Sequence, residues 1–282
     1  MAHHVGQNFT SVIHHDTYPS IATSNHRGRC ICIIGASRGI GRAIALAFAR
    51  AGASTLILAA RSDLDDLKVE ILSIAPSEVI TICLDVTSEE EVDSAVKLAK
   101  QHVSSIDVLV NNAGYLAEFQ PIGETVSSEW SKSWEINVKG TYLITRAFMP
   151  LVLQSSLKTI VNVGSRAALH TRVGASAYGV SKSAVLRLTD YLDFEYKEKG
   201  LIALTIHPGS VATELSLRMP DYAHAVLVDK PELAANTIAW LTQERRLWLA
   251  GRYISVNWDM EELDSRKEEI VQGDKLKLRL VI

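Results

Sequence analysis

Cysteine is scarce, three residues in a chain of 282, and no pair has C-x-x-C spacing. Cys30, Cys32 and Cys83 all fall inside short apolar runs that read as buried strands. The odd count and the lack of a framework exclude a disulfide scaffold and fit inert thiols in a reducing, cytoplasmic setting. Basic runs are also missing, and the net charge is −3, which argues against nucleic acid or an anionic membrane as partner. No apolar stretch reaches transmembrane length, and no charged leader precedes an apolar core at the N-terminus. His3, His4, His14, His15 and His26 crowd the first 28 residues, but nothing suggests that they converge with Cys, Asp or Glu, so no metal site is expected. What remains is an ordinary globular composition, 47% hydrophobic and 22% charged, long enough for one large α/β domain.

Residues 1–28 lack steady periodicity and are expected to form an irregular arm on the domain surface. Regularity begins at Arg29. The apolar run 29–34 reads as a buried strand, and an alanine-rich helix over 42–50 follows a glycine turn. Strands are expected at 54–60, 79–84, 106–110, 159–163, 201–207 and 253–256. Between them, helices are expected at 64–75, 89–102, 127–153, 177–199 and 231–242. Alternation at this period with uniformly apolar strands predicts a Rossmann-type doubly wound parallel sheet with helices on both faces. No linker interrupts it, so residues 29–258 read as a single domain. In the tail, 259–282, the stretch 261–270 is charged and helical in pattern. Residues 275–280 alternate as an edge strand or surface ribbon would, either on their own domain or against another subunit.

Gly35, Gly39 and Gly41 stand directly between the first strand and first helix, with Ser37, Arg38 and Ile40 among them. A tight turn there lets backbone N–H groups approach a pyrophosphate at the helix N-terminus. The spacing, G-x-x-x-G-x-G, is looser than the usual dinucleotide fingerprint. After the second strand comes Arg61, where an acidic residue would suit a ribose 2′-hydroxyl and an arginine suits a 2′-phosphate. With Arg38 in the turn, this favours NADP(H); Asp63 is the rival 2′-hydroxyl ligand that would favour NAD.

Tyr178 and Lys182 are four residues apart, so on a helix they share a face one turn apart. An ammonium beside a phenol favours the phenolate. Ser165 lies thirteen residues upstream, at the end of an apolar run. Alone, Y-x-x-x-K is also a common surface pattern.

The ordered set Gly35-Ala-Ser-Arg-Gly-Ile-Gly41, Asp85-Val86, Asn111-Asn-Ala-Gly114, Asn137, Ser165, Tyr178-Gly-Val-Ser-Lys182 and Pro208-Gly209 with Thr213 resembles the classical short-chain dehydrogenase/reductase family. The resemblance spans residues 28–258, and the N-terminal arm and the 251–258 ending look similar to fungal members. It implies that Asp85 and Val86 meet the adenine and that Asn112, Ala113 and Gly114 line the cofactor near its ribose. Tyr178 is implied as proton donor, Lys182 as ribose holder and tuner of Tyr178, and Ser165 as the hydrogen-bond donor to the substrate oxygen. Asn137 is implied to fix a water in a relay to Lys182. Pro208, Gly209, Val211 and Thr213 are implied at the nicotinamide end. Two positions depart from the pattern. Ile34 replaces a threonine, which is expected to loosen the turn, and Gly164 replaces a serine, which is expected to open space above the substrate.

Residues 214–228 stand where the family carries a substrate lid. Leu215, Leu217, Met219, Tyr222, Val226 and Leu227 make it apolar, with Arg218 and His224 interspersed. That suits a hydrophobic small-molecule carbonyl or alcohol substrate, or simply packing. Tyr115, Arg166, Ala168 and His170 flank the expected pocket; His170 and His207 read as structural. The leading reading is an NADPH-dependent ketone or aldehyde reductase. Alternatives are an isomerase or lyase on the same scaffold, which would tend to replace the serine or tyrosine, and a non-catalytic cofactor-binding sensor or scaffold. Family members commonly pair through helices corresponding to 127–153 and 177–199, so a homodimer or homotetramer is expected.

Overall fold

The computed structural model describes residues 8–280; His3, His4 and the last two residues lie outside them. Seven strands form one sheet in the order β3-β2-β1-β4-β5-β6-β7, and every pairing is parallel. The strands are β1 (Cys30–Ile34), β2 (Thr55–Ala60), β3 (Glu78–Cys83), β4 (Val108–Asn111), β5 (Thr159–Val163), β6 (Ile202–His207) and β7 (Arg252–Ser255). β1, β4, β5, β6 and β7 are buried along their whole length, as strands of a parallel sheet covered on both faces are.

The helices are α1 (Pro19–Ala22), α2 (Gly39–Arg50), α3 (Asp65–Ile74), α4 (Glu89–His102), α5 (Ser127–Trp134), α6 (Thr141–Gln154), α7 (Ser176–Tyr196), α8 (Pro231–Thr242), α9 (Met260–Ser265) and α10 (Lys267–Gln272). Two apolar clusters fill the layers. One packs α2 and α8 on one face of the sheet; the other packs α4 and α6 on the opposite face. The order reverses between β1 and β4, which opens a crevice at the carboxyl ends of the strands.

Four expectations change. The segment 127–153 is one continuous helical path, but it widens into a π-helix at Glu135–Gly140 between α5 and α6. The arm does more than cover the surface: Ile21 and His26 are fully buried, and Ile13 bridges Trp258. Cys83 is exposed, because it ends β3 at the sheet edge, whereas Cys30 and Cys32 are buried as expected. The alternating tail is no strand; the Tyr253 N–H on the last strand donates to the Leu276 carbonyl at 2.8 Å, so this part packs on its own domain.

A polar ladder crosses the otherwise apolar interior. Asn111 Nδ2 donates to Asn162 Oδ1 (2.8 Å) and Thr145 Oγ1 (3.0 Å). Asn162 Nδ2 donates to Thr189 Oγ1 (2.9 Å), which also accepts from Thr205 Oγ1 (2.7 Å). Buried groups hydrogen-bonded to one another in this way hold one geometry. Here they lock α6 and α7 against β4, β5 and β6, and α7 carries Tyr178 and Lys182.

Candidate active site

The turn after β1 is built by backbone and one side chain. Gly35 N donates to Ala59 O (2.7 Å), and Asn112 Nδ2 donates to Gly35 O (2.8 Å). Asn112 therefore braces the turn that Ile34, fully buried in the strand, does not. Gly35 has φ +82°, and a Cβ there would stand 2.8 Å from the Ala113 backbone. Gly39 opens α2 at φ +55°, where a Cβ would meet the Thr213 methyl at 3.2 Å. Only glycine leaves the backbone at the helix N-terminus open to a phosphate.

In front of that turn lies a cavity of about 400 Å³. Gly35, Ser37, Arg38, Gly39, Ile40, Arg61, Asp85, Val86, Asn112, Ala113, Gly114, Tyr178, Lys182, Pro208 and Thr213 all line it. Arg38 and Arg61 are mostly exposed; Arg38 pairs with Glu214 at 2.7 Å and Arg61 faces Asp85 at 3.9 Å. Asp85 Oδ1 accepts from the Thr87 N–H (2.9 Å) and hydroxyl (2.7 Å). Burial raises the Asp85 pKa, but those bonds and Arg61 outweigh it and hold the carboxyl below its usual range. Asp63 is absent from the lining and accepts from the Asp65 N–H at 2.8 Å. These residues fit a dinucleotide: a glycine cradle, two cations at the far end, and a lysine and tyrosine at the near end. Gly41 lies beneath the cradle, where a Cβ would strike Gly35 O at 2.1 Å.

A second cavity, about 960 Å³, opens from the first; Ile40, Gly164, Tyr178, Pro208, Thr213 and Leu215 line both. Ser165 lines the larger one, as do Gly209 and Val211. Residues 214–228 contribute Leu215, Met219, Val226 and Leu227 to its lining, whereas Leu217 and Tyr222 are exposed. Arg218 instead stacks on the Tyr115 ring at 4.6 Å and donates to its hydroxyl at 3.1 Å. The Tyr115 hydroxyl in turn donates to Glu129 at 2.5 Å, so Tyr115 ties the segment around Arg218 to α5 and does not line the pocket. Gly164 does not open space: a Cβ there would lie 2.4 Å from the Thr205 methyl, so close packing of β5 on β6 requires glycine.

Tyr178 stands where the cavities meet, between Ser165 and Lys182. Burial pushes its phenol up to about 12, and a hydrogen bond with Ser165 works the other way. Burial brings the Lys182 ammonium down to about 8. Lys182 Nζ donates to Val163 O at 2.7 Å and sits 5.7 Å from the Tyr178 ring centroid. The influence that lowers Tyr178 here is therefore Ser165, and burial outweighs it.

Asn137 is fully buried in the π-helix. Its Oδ1 accepts from Tyr115 N (2.7 Å), and its Nδ2 donates to Tyr115 O (2.9 Å) and Ser181 Oγ (2.9 Å). The amide is spent on positioning Tyr115 and α7. His170 Nδ1 bonds the Arg166 carbonyl (2.8 Å), and His207 Nδ1 accepts from the Arg166 N–H (3.3 Å). Sequence reasoning missed Ser181, Asn162, Thr189 and Thr205. The signal was there for Asn162, a lone amide in an apolar strand.

A family model described as short chain dehydrogenase matches residues 29–221. The short chain dehydrogenase mpl6 of Monascus purpureus is 49% identical, over 98% of this chain and 98% of its own. The short chain dehydrogenase andI of Emericella variicolor is 42% identical, over 97% of each. Among solved structures, a short chain dehydrogenase of Shigella flexneri 2a complexed with NADP is 26% identical with a TM-score of 0.76, covering 82% of this chain and 97% of that one. Fold, motif order and near full-length fungal relatives agree: the chain belongs to the short chain dehydrogenase family of oxidoreductases.

Proposed function

We propose that this chain is an NADP-dependent carbonyl reductase that converts a hydrophobic ketone or aldehyde to its alcohol, reversibly. The observation that carries the reading is Tyr178, which lines both the cavity at the glycine turn and the larger cavity beside it, between Ser165 and Lys182. A reduced nicotinamide, when bound, supplies the hydride. The Ser165 hydroxyl and the Tyr178 phenol hold the carbonyl oxygen, and negative charge gathers there as the carbon is reduced. The phenol delivers its proton to that oxygen, which completes the alcohol. Lys182, whose ammonium burial brings down to about 8, places its cationic form beside the phenol, and that form stabilises the phenolate left behind. Retention of Ser165 and Tyr178 together favours this over isomerase, lyase or scaffold roles.

Arg38 and Arg61 in the lining of the smaller cavity support NADP over NAD, as does the absence of Asp63 from that lining. The apolar part of the larger cavity supports a hydrophobic substrate. The lack of paired cysteines fits a cytoplasmic setting. Tyr178→Phe is expected to lower the rate of NADPH-dependent ketone reduction by at least about a hundred-fold. NADPH affinity, read by fluorescence titration, is expected to change little. Turnover at the wild-type rate in this variant would sink the mechanism.

A further inference from the structure

The larger cavity is apolar on the lid side but carries cations on the other. Arg166, His170, Arg172 and His207 line it, and no Asp or Glu does. Arg166 follows Ser165 directly and is half-buried. Its backbone N–H and C=O are engaged by His207 and His170, but its guanidinium has no ion pair or hydrogen bond among the described residues. Arg172 is exposed and likewise unpaired among the described residues; burial lowers the His170 pKa, the bond to the Arg166 carbonyl opposes this, and the charges of both arginines add to the lowering.

The wall behind them is also short of acceptors. Because His207 Nδ1 accepts from Arg166 N–H, the neutral ring carries its proton on Nε2, and that atom is buried without a partner. Burial, with Arg166 nearby, holds the ring neutral, at about 3. The Tyr253 hydroxyl, which also feels the Arg166 charge, is buried without a partner as well. Asp229, the one acidic group acting on His207, is already committed: it bonds His15 at 2.6 Å and accepts from Ser210 N–H at 2.5 Å. A half-buried guanidinium with no partner among the described residues, in a cavity that no acidic side chain lines, is a place where an anion fits.

We propose that this cavity selects hydrophobic carbonyl compounds bearing a carboxylate, which Arg166 binds through its planar fork while Arg172 attracts it at the mouth. The inference rests on the reading of Ser165 and Tyr178 as the place where the carbonyl is reduced. One end of the substrate is held by the hydroxyl pair and the other by the arginines, with the apolar lid over the frame between.

Binding and turnover are read separately, on the full chain saturated with reduced cofactor. Calorimetric binding of 2-naphthoate is expected to be at least about ten-fold tighter than that of its methyl ester. Arg166→Gln is expected to weaken the acid by about ten- to a hundred-fold and leave the ester unchanged. Arg166→Lys should restore part of the loss, and Arg172→Gln, an exposed change that tests the fold least, should show a smaller loss. Equal binding of acid and ester by the wild type overturns the proposal. So does an acid preference that survives in the Arg166→Gln, Arg172→Gln double variant. Reduction of 6-acetyl-2-naphthoate against its ester, followed by NADPH oxidation, then tests the reaction. A protein that selects the acid but oxidises no cofactor keeps the carboxylate site and loses the reductase reading.

Discussion

Arg61 follows β2 directly, at the rim of the nucleotide cavity. Its facing carboxylate, Asp85, is 3.9 Å away and already held by Thr87. An exposed pair at that separation is weak, so the guanidinium remains free for a stronger anion. Arg38 is less free, because Glu214 takes it at 2.7 Å. Arg61 is therefore the residue expected to discriminate a 2′-phosphate from a 2′-hydroxyl. Arg61→Asp is expected to lower the NADPH-to-NADH ratio of kcat/KM by about ten- to a hundred-fold, the size of a charge-assisted hydrogen bond lost and a repulsion gained. Steady-state kinetics with each cofactor reads this directly, and an unchanged ratio would place the discrimination elsewhere. The residue types at this end were readable in the sequence, since glycine spacing and a charged residue after the second strand are local features. Their partners were not: Glu214 lies far along the chain from Arg38, and only the fold brings it near.

The elements show the same division between local pattern and tertiary cause. The five-residue run of β1 announces a buried parallel strand because nothing polar interrupts it, and β5 reads the same way although Thr159 and Asn162 stand among its apolar residues. The π-helix around Asn137 leaves no such mark. It widens a helix without ending it, and its residues make their contacts far along the chain. Asn137 is tied to Tyr115, and a Cβ on Gly140 would stand 2.6 Å from the Val86 methyl. The exposed Cys83 was likewise hidden, since only the strand order makes β3 an edge. Gly164 gives the sharpest case of a residue whose meaning is tertiary. Gly164→Ala would press a methyl onto the Thr205 methyl across β5 and β6 and is expected to cost about 1–3 kcal/mol by overpacking. Thr205→Ser removes that methyl while keeping the hydroxyl that donates to Thr189. The double variant should recover most of the loss, which urea unfolding of the four proteins of the cycle would measure. Additive losses would mean that the two positions do not press on each other.

At the scale of the molecule, both faces of the sheet are closed by helices, yet one outer surface keeps its apolar groups in water. On α7, Val180, Tyr191 and Phe194 are exposed, Phe194 by 84%. With Arg187, these positions recur at seven, four and three residues, so they form one stripe along the helix. Trp134 on α5 and Tyr142 on α6, the neighbouring layer, are also exposed. Packing against the sheet cannot explain the stripe, because α7 already buries Val185, Leu186 and Leu192 on its other side. A second copy of the chain related by a two-fold axis would bury the same stripe twice, which is the economical way to cover it. Such pairing would also brace α7 from outside, and α7 holds Tyr178 and Lys182. Phe194→Glu would place a charge within that contact. Light scattering after size exclusion is expected to give roughly twice the chain mass of 30.9 kDa, or a higher multiple, for the wild type and the single-chain mass for the variant. A wild type that elutes as a single chain at micromolar concentration would overturn the assignment of this face to self-association. A variant that stays assembled would move the contact to another surface.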